Sequence, residues 1–317
     1  MINYYVSTGY LYQQGVVPNS DWQRISVLGK VSADLTDNLN LGFQANYINS
    51  GGNRIQRGSN ISGVMLGLMR NTPTFDIANG YTDGREAADD ESVYVLPDGT
   101  QRSYRNGVYD SPFWTVNRNP FEDNVNRVIG NLSLTYDVLP WLTISYKLGL
   151  DTYGDSRIYS MDINSADVPE GQVVMRNITN TDLNQDLLFL FNTEFAQDFN
   201  LNATLGANSW DTRYDSRTTT GTTLGAQGFY HISNATNITS GQTILEKQIY
   251  GVFADIRLGW RNQLFLNLSA RNDWSSALPK ENNSFFYPAA SLAWTFTETL
   301  GMSTNAWFSY GKLRASW

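Results

Sequence analysis

The stretch that decides the fold runs from Tyr250 to Trp274, YGVFADIRLGWRNQLFLNLSARNDW, and alternates between apolar and polar residues. In residues 250–260 the even positions are apolar, whereas the odd positions include Asp255 and Arg257. Residues 264–271 repeat the alternation, again with the even positions apolar. Because successive side chains of a strand point to opposite faces, each half predicts a strand with one apolar and one polar face. The short connection between the halves predicts a tight hairpin.

The same alternation recurs along the chain and predicts about eleven strands. The other segments are at about 3–15, 23–35, 39–50, 128–138, 142–151, 185–197, 199–211, 285–297 and 304–316. Most exceed the usual strand length of about 5–6 residues and suit the roughly 9–11 residues that cross a bilayer at a tilt. Connections alternate between short ones, near 35–39, 138–141, 197–199, 260–263 and 298–304, and longer ones, at about 51–125, 154–184, 212–246 and 275–284.

Composition excludes several classes of function. Lys plus Arg is 22 and Asp plus Glu is 30, so the net charge of −8 argues against a nucleic-acid partner. Cysteine is absent and His231 is the single histidine, in a context without a catalytic motif. This excludes a disulfide scaffold and a cysteine nucleophile, and it argues against histidine-based catalysis or a zinc site. We therefore expect neither an enzyme nor a cofactor. No apolar run approaches the ~18 residues of a membrane-spanning helix.

Together these features predict an all-β, transmembrane antiparallel β-barrel with long extracellular loops, short periplasmic turns and one short loop helix. Aromatic residues near strand ends are the predicted membrane-interface set: Trp141, Phe199, Trp210, Trp260, Trp274 and Trp294. Charged residues of the polar face are predicted to line the lumen of the barrel, where they pair with one another: Arg127, Lys147, Asp151, Glu194, Asp255, Arg257 and Arg271.

Residues 51–125 are too long for a structureless connection, so we expect them to form a folded functional loop. Ile61, Val64, Met65 and Leu68 have helical spacing after Ser59 and Asn60 and before Pro73, which predicts the short helix. A later set of aromatic residues could stack on a sugar or peptide, or form the core of the loop itself: Tyr94, Tyr104, Tyr109, Phe113 and Trp114. Four acidic residues could bind calcium or simply form a solvated loop: Asp83, Asp89, Asp90 and Glu91.

Six stretches, in this order, resemble the SusC/RagA class of TonB-dependent outer-membrane transporters. They are GSNISGVMLGL at 58–68, NTPTF at 71–75, NRNPFEDN at 117–124, NLSARNDWS at 267–275, FYPAASLAW at 286–294 and GKLRASW at 311–317. The resemblance implies an outer-membrane barrel of about 22 strands with an internal plug. It also implies a TonB box and a surface SusD-like lipoprotein that captures glycans or peptides.

The sequence departs from that pattern in extent. We identify no signal peptide, plug, TonB box or terminal insertion strand, so residues 1–317 are expected to be an internal barrel fragment of about half the strands. A fragment of this kind is expected to contact outer-membrane lipid and to reach TonB through the plug. Two other classes share some of these features. One is a passive porin, and the other is a soluble carbohydrate-binding or glycoside-hydrolysing β protein.

Overall fold

The computed structural model describes residues 1–57, 62–196, 198–302 and 307–317. Eleven strands form one antiparallel sheet in chain order. The strands are β1 (Ile2–Gln14), β2 (Asp21–Thr36), β3 (Leu39–Arg54), β4 (Phe121–Leu139), β5 (Leu142–Met161), β6 (Gln172–Phe195), β7 (Phe199–Leu224), β8 (Ala235–Trp260), β9 (Leu264–Ser275), β10 (Ser284–Trp294) and β11 (Leu313–Ser316).

The register carries the predicted alternation from strand to strand. Ile144 of β5 lies opposite Tyr136 of β4 and Phe189 of β6, while Lys147 lies opposite Ser133 and Asp186. Directly opposed residues of an antiparallel pair share a face, so the sheet has one continuous apolar face and one continuous polar face. The all-β fold is confirmed. Within the described residues β1 pairs with β2 alone and β11 with β10 alone, so both edges of the sheet are open.

Three strands are much longer than the sequence predicts. β6, β7 and β8 have 24, 26 and 26 residues. Residues 154–161, where β5 continues, and residues 172–184, 212–224 and 235–246 therefore belong to the sheet, and the predicted loops at 154–184 and 212–246 are wrong over most of their length. At 212–224 and 235–246 both faces are mostly polar, and at 172–184 apolar residues such as Val173 and Ile178 fall at both odd and even positions, so no apolar alternation marks the extensions. Cross-strand pairs of β-branched residues and ion pairs maintain the extensions instead.

The C-terminal part also differs from expectation. The predicted strand at 304–316 is reduced to β11, and residues 303–306 lie outside the described residues. The connection before β11 is long and includes a short helix, α4 (Phe296–Thr299), so the predicted short connection at 298–304 is wrong. Thr297 is fully buried and its hydroxyl accepts from the Gly311 backbone N–H at 3.0 Å, which joins the beginning of this connection to its end.

The connection between β3 and β4 folds into a small structure that we call the cap, residues 55–57 and 62–120. It contains three helices, α1 (Val64–Arg70), α2 (Gly84–Asp89) and α3 (Pro112–Arg118), and a 3-10 turn (Glu91–Val93). The predicted helix is confirmed as α1, whereas α2 and α3 come in addition to the single helix that the sequence predicts. Ser59, Asn60 and Ile61, which the prediction places at the start of α1, lie outside the described residues. Among the described residues, no helix has the length and apolar character to cross a membrane.

Candidate functional site: the polar wall and its cap

The apolar face ends at aromatic residues on both sides. At the short-turn end Trp141 stacks on Phe191 and Phe195 stacks on Phe199, with centroids 6.2 and 5.3 Å apart. At the long-connection end Tyr250 stacks on Trp274 at 5.3 Å. Trp260 and Trp294 also belong to this face. Leu264 of β9 lies between them, opposite Trp260 of β8 and opposite Trp294 of β10.

Strand length relates these aromatic residues to a bilayer. Tyr250 and Trp260 are ten residues apart on β8, which spans about 33 Å along the strand. A tilt of about 40° reduces this to roughly 25 Å, the height of the apolar band of a membrane barrel. Beyond Tyr250 the same face becomes charged, with Arg213 paired to Glu246 at 2.5 Å. The apolar face therefore has the height of a lipid-facing band.

Trp210 does not belong to this band. It lies opposite Asn184 and Ile249 on the polar face, and the ammonium of Lys247 lies 5.4 Å from its ring centroid. The assignment of Trp210 to the membrane interface is therefore wrong. On β7 the apolar face is carried by odd positions such as Leu201 and Leu205, so the phase of the strand already separates Trp210 from the lipid side.

Most predicted charges of the polar face are paired. We call the eleven-stranded sheet that carries this face the wall. The Arg127 Nε–H donates to Asp151 Oδ1 at 2.8 Å, and Asp255 pairs with Arg257 at 2.8 Å. Arg271 pairs with Asp273, at 2.8 Å, a partner that the sequence analysis missed. The remaining predicted lumen residues, Lys147 and Glu194, lie on the same face opposite Asp186 and Asn200. The structure thus supports pairing within the wall for most of the predicted lumen charges.

An aromatic side chain also lies on the polar face in the middle of the sheet. The ring of Phe253 covers Gly206 on the neighbouring strand, where an added Cβ would lie 2.2 Å from the ring. The guanidinium of Arg271 lies 5.3 Å from the same ring. Gly206 is therefore required by the close approach of the ring. An aromatic residue directly opposite a glycine is a sequence signal that becomes readable once the register is known.

The cap has a core of its own. Ala87, Val93, Tyr94 and Trp114 form a buried cluster, and Phe113 packs against its side. Trp114 is fully buried, and its Nε1–H donates to Ser165 Oγ at 3.0 Å. Trp114 and Tyr94 therefore cannot stack on a substrate, and their assignment to substrate binding is wrong because they supply the core of the cap.

Three of the predicted binding aromatics, Tyr104, Tyr109 and Phe113, are only partly buried, although Phe113 packs against the buried cluster. Tyr104 and Tyr109 are half-buried and stack on each other with centroids 6.0 Å apart. The guanidinium of Arg70 lies 4.9 Å from the Tyr109 ring and that of Arg105 lies 5.8 Å from it. A substrate role for this pair stays a prediction.

Asp162, in the connection between β5 and β6, fastens the cap to two other connections. Its fully buried carboxylate accepts from the backbone N–H of Gly228 and the hydroxyl of Tyr230, both at 3.0 Å, and Arg118 of α3 lies 3.6 Å away. Burial and the adjacent Asp162 charge raise the pKa of Tyr230. The tyrosine thus stays a neutral donor, and three separate connections are joined at one carboxylate.

A second buried carboxylate, Asp110, joins the cap to the same connection. Its Oδ1 accepts from Gln101 Nε2 and from the backbone N–H of Ala166, each at 2.7 Å. Its Oδ2 is buried without a hydrogen-bond partner. Burial raises the pKa of Asp110, because the charged form loses more hydration than the two hydrogen bonds replace.

The four acidic residues considered for calcium have separate partners or positions. Asp83 accepts from the N–H of Arg85 at the start of α2, Asp90 accepts from Tyr81 Oη at 2.8 Å, and Glu91 pairs with Arg118. In the part of the chain that the structure describes, no three acidic, histidine or cysteine side chains are grouped as metal ligands. The geometry of the cap therefore gives no support to a calcium site.

Two adjoining cavities of about 550 and 380 Å³ lie between the β1–β2 connection, the start of β4 and the cap. The two cavities share six lining residues, Ser20, Asp21, Asn53, Arg54, Ile55 and Phe121. In this shared lining the Arg54 guanidinium donates two hydrogen bonds of 2.9 Å to the Asp123 carboxylate. The sequence analysis did not find this site because its residues come from segments that only the folded cap brings together.

Comparison with known proteins agrees with this geometry. Residues 68–316 match the family model described as TonB dependent receptor-like, beta-barrel. The chain is 24% identical over its whole length to TonB-dependent receptor P26 of Formosa agariphila, of which it covers 31%. It is also 24% identical to TonB-dependent receptor P3 of the same organism, with 99% of the chain covering 31% of that protein. The chain thus spans about a third of the length of these relatives.

Solved structures share the fold. The RagAB peptide transporter superposes with a TM-score of 0.74 and 14% identity over 99% of this chain and 35% of that one. The RagAB peptide importer in the open-open state gives a TM-score of 0.77 and 16% identity, over 99% of this chain and 34% of that one. Since the family model covers most of the chain, the chain belongs to the TonB dependent receptor-like β-barrel family and forms part of an outer-membrane barrel.

Proposed function

We propose that the protein to which these residues belong is a SusC/RagA-class importer that takes up oligosaccharides or peptides and is energised through TonB. The observation that carries the proposal is the two-faced wall. One face is an apolar band of bilayer height, and the other is a polar surface on which most of the predicted lumen charges are paired with one another or with a neighbour. Paired charges leave the wall polar but not strongly adhesive, which suits a surface that a substrate or a plug must slide along.

In this mechanism the wall performs no covalent chemistry. It separates lipid from an aqueous path, the cap shapes the extracellular entrance, and movement of a plug opens the path. The cap is well suited to a fixed entrance because Trp114 and Asp162 hold it to neighbouring connections through buried hydrogen bonds. A SusD-like lipoprotein is the proposed partner at this end. The fold that this chain shares with the RagAB peptide importer supports this choice.

Transport is tested by deleting the complete gene in its host and measuring uptake of labelled oligosaccharides and peptides by whole cells. The proposal predicts that at least one substrate class is lost and that the complete gene restores it. Restoration must fail in cells treated with a protonophore, because TonB-driven transport needs the proton gradient. Uptake that survives the protonophore would favour a passive porin, and unchanged uptake in the deletion strain would contradict the proposal.

The partner is tested separately. A tagged full-length protein is purified from outer membranes in mild detergent and analysed by mass spectrometry. We expect a surface lipoprotein in stoichiometric amount. A barrel that purifies alone under conditions that preserve its fold would contradict the partnership but not the transport.

A further inference from the structure

The two adjoining cavities beside the cap carry an unusual set of charges. Their lining contains four arginines, Arg54, Arg57, Arg85 and Arg157, but only two carboxylates, Asp21 and Asp123. The whole chain has the opposite balance, with 22 basic and 30 acidic residues. The cavities are therefore a basic site in an acidic protein.

Two of these arginines are already neutralised. Arg54 makes a two-pronged contact with Asp123, and Arg157 makes one with Asp155, whose carboxylate is buried. Fork-shaped pairs of this kind hold both groups in place and leave little charge to attract a ligand. They form the rigid part of the site.

The other two arginines are not neutralised. Arg85 donates to the Gly15 carbonyl oxygen at 3.2 Å and forms no salt bridge with a carboxylate among the described residues. Arg57 is exposed and has no carboxylate or other hydrogen-bond partner within the described residues. Asp21, the remaining carboxylate of the lining, instead accepts from the backbone N–H of Asn53 at 2.9 Å. Arg57 in the larger cavity and Arg85 in the smaller one therefore stay available to a ligand, with Asp21 as the one carboxylate of the lining that is not in an ion pair within the described residues.

Aromatic side chains also line the two cavities. Trp22 lines the larger cavity and lies on the polar face of β2 opposite Gln13, half-buried. Phe121 lines both cavities and meets Tyr159 edge to face at 5.9 Å. An indole face beside guanidinium groups suits a ligand that has both an apolar face and an anionic group.

We propose that these cavities form an entry subsite for the carboxylate or other anionic group of the imported substrate, with Arg57 and Arg85 as its ligands. The inference rests on the proposed function, because it assumes that a substrate passes this wall. Two sources supply the same chemistry, an acidic oligosaccharide and an acidic peptide. Trp22 would lie against the sugar ring or the peptide side chain, while Arg54 and Arg157 keep their positions through their own carboxylates.

Binding to the purified full-length protein tests the subsite by calorimetry. The probes are tetragalacturonate against neutral galactotetraose, and a glutamate-containing hexapeptide against its glutamine counterpart. We expect the wild type to prefer the acidic member of at least one pair. Arg57→Gln and Arg85→Gln should each lower the affinity for that acidic probe by about tenfold, which is the scale of one charge-assisted hydrogen bond. The neutral probes should change by less than about twofold, and the preference should decrease with added salt.

Arg217→Gln is the matched control. It removes the same charge from the same end of the sheet, outside both cavities, and leaves Asp215 bonded to Gln242. If Arg217→Gln lost as much affinity for the acidic probe as the cavity variants do, the effect would be one of net charge, and the subsite would be contradicted. Acidic probes that bind the Arg57 and Arg85 variants as well as the wild type, or no preference for the acidic probe in either pair, would also overturn it. None of these results touches the proposed import, which is decided by uptake in the deletion strain.

Discussion

The wall and the cap of this chain are built on different physical principles. In the wall, strands of up to 26 residues are held by continuous backbone ladders, and most side chains contact solvent or lipid on one of two faces. In the cap, regular structure is limited to helices of six or seven residues, and the chain is held by a buried cluster around Trp114. One region is stable because its backbone is paired, and the other because its side chains are buried.

This difference determines what each region can do. The wall should tolerate substitutions at exposed positions so long as each face keeps its polarity, which suits a partition between lipid and water. The cap brings together residues from distant parts of the chain, such as Trp114 with Ser165 and Asp162 with Tyr230. It can therefore shape a specific site at the entrance, but it depends on a few buried contacts. The following variants, all in the full-length protein, separate the two regions.

The largest expected effect is on the cap. Trp114→Ala removes a fully buried ring and its hydrogen bond to Ser165, which should cost about 3–5 kcal/mol of cap stability. Labelling of a Val93→Cys reporter by a maleimide measures opening of the cap, because Val93 is fully buried and this chain has no cysteine. We expect labelling to accelerate more than about a hundredfold. Trp260→Ala, on the lipid face, is the control and should leave the reporter protected; equal acceleration would contradict the separation.

The next effect is on the wall. Ile256 lies on the apolar face between Ala203 and Leu268, whereas Ser269 lies on the polar face opposite Asp255. Ile256→Arg places a charge near the middle of the lipid band and should cost about 2–4 kcal/mol. Ser269→Arg, the matched control, should be well tolerated because Asp255 is opposite it. The heat-modifiable gel shift of the folded barrel measures assembly, and equal loss in both variants would contradict the assignment of the faces.

A smaller effect is expected at the contact between Gly206 and Phe253. Gly206→Ala brings a Cβ to 2.2 Å from the ring, and the displaced ring should destabilise the barrel by about 1–3 kcal/mol. Gly154→Ala is the control, because nothing lies within 4 Å of the added carbon there. Chemical denaturation in detergent measures the free energy of unfolding of both variants. Adding Phe253→Leu should restore much of the loss; without such rescue, steric overlap is not the cause.

The smallest effect concerns pH and the cap. Burial raises the pKa of Asp110 above its ordinary value of 3.8, so the folded cap binds this proton more tightly than the unfolded chain does. The contribution of Asp110 is therefore most favourable below pH 3.8, and it is lost as the pH rises through the folded-state pKa. Asp110→Asn keeps the acceptor for Gln101 and Ala166 but abolishes this dependence. Labelling of the Val93→Cys reporter should differ between variant and wild type by several-fold at pH 7, with the variant the more protected. At pH 4 the difference should be smaller, and a difference that grows on acidification would contradict the assignment.

The sequence predicts the wall well wherever its two faces differ in polarity. From Tyr250 to Trp274 the two strands and their hairpin are confirmed, because nearly all even positions are apolar on both strands. The alternation is not perfect, since the apolar ring of Phe253 lies on the polar face, and the connection covers residues 261–263. The prediction fails at 212–224 and 235–246, where both faces are polar and alternation carries no information. Trp210 was placed by its closeness to a strand end, although the phase of Leu201 and Leu205 assigns it to the opposite face.

The cap is a different case. Its helix α1 follows from local spacing, but the burial of Trp114 depends on Ser165, which lies 51 residues away. The composition of the cavities likewise depends on how the connections dock, since Trp22, Arg57 and Arg85 share no local pattern. Aromatic residues in a long loop are consistent with either a core or a binding surface until these long-range contacts are known.

The central claim is that one face of this sheet meets lipid and the other meets water. It is tested by spin-labelling residues 250–260 of β8 one at a time in the full-length protein in lipid vesicles. Collision rates are then measured with oxygen, which partitions into lipid, and with a water-soluble nickel chelate. The account predicts oxygen maxima at even positions from Tyr250 to Trp260 and higher nickel access at odd positions such as Asp255. Equal access along the strand, or maxima of the opposite phase, would contradict it.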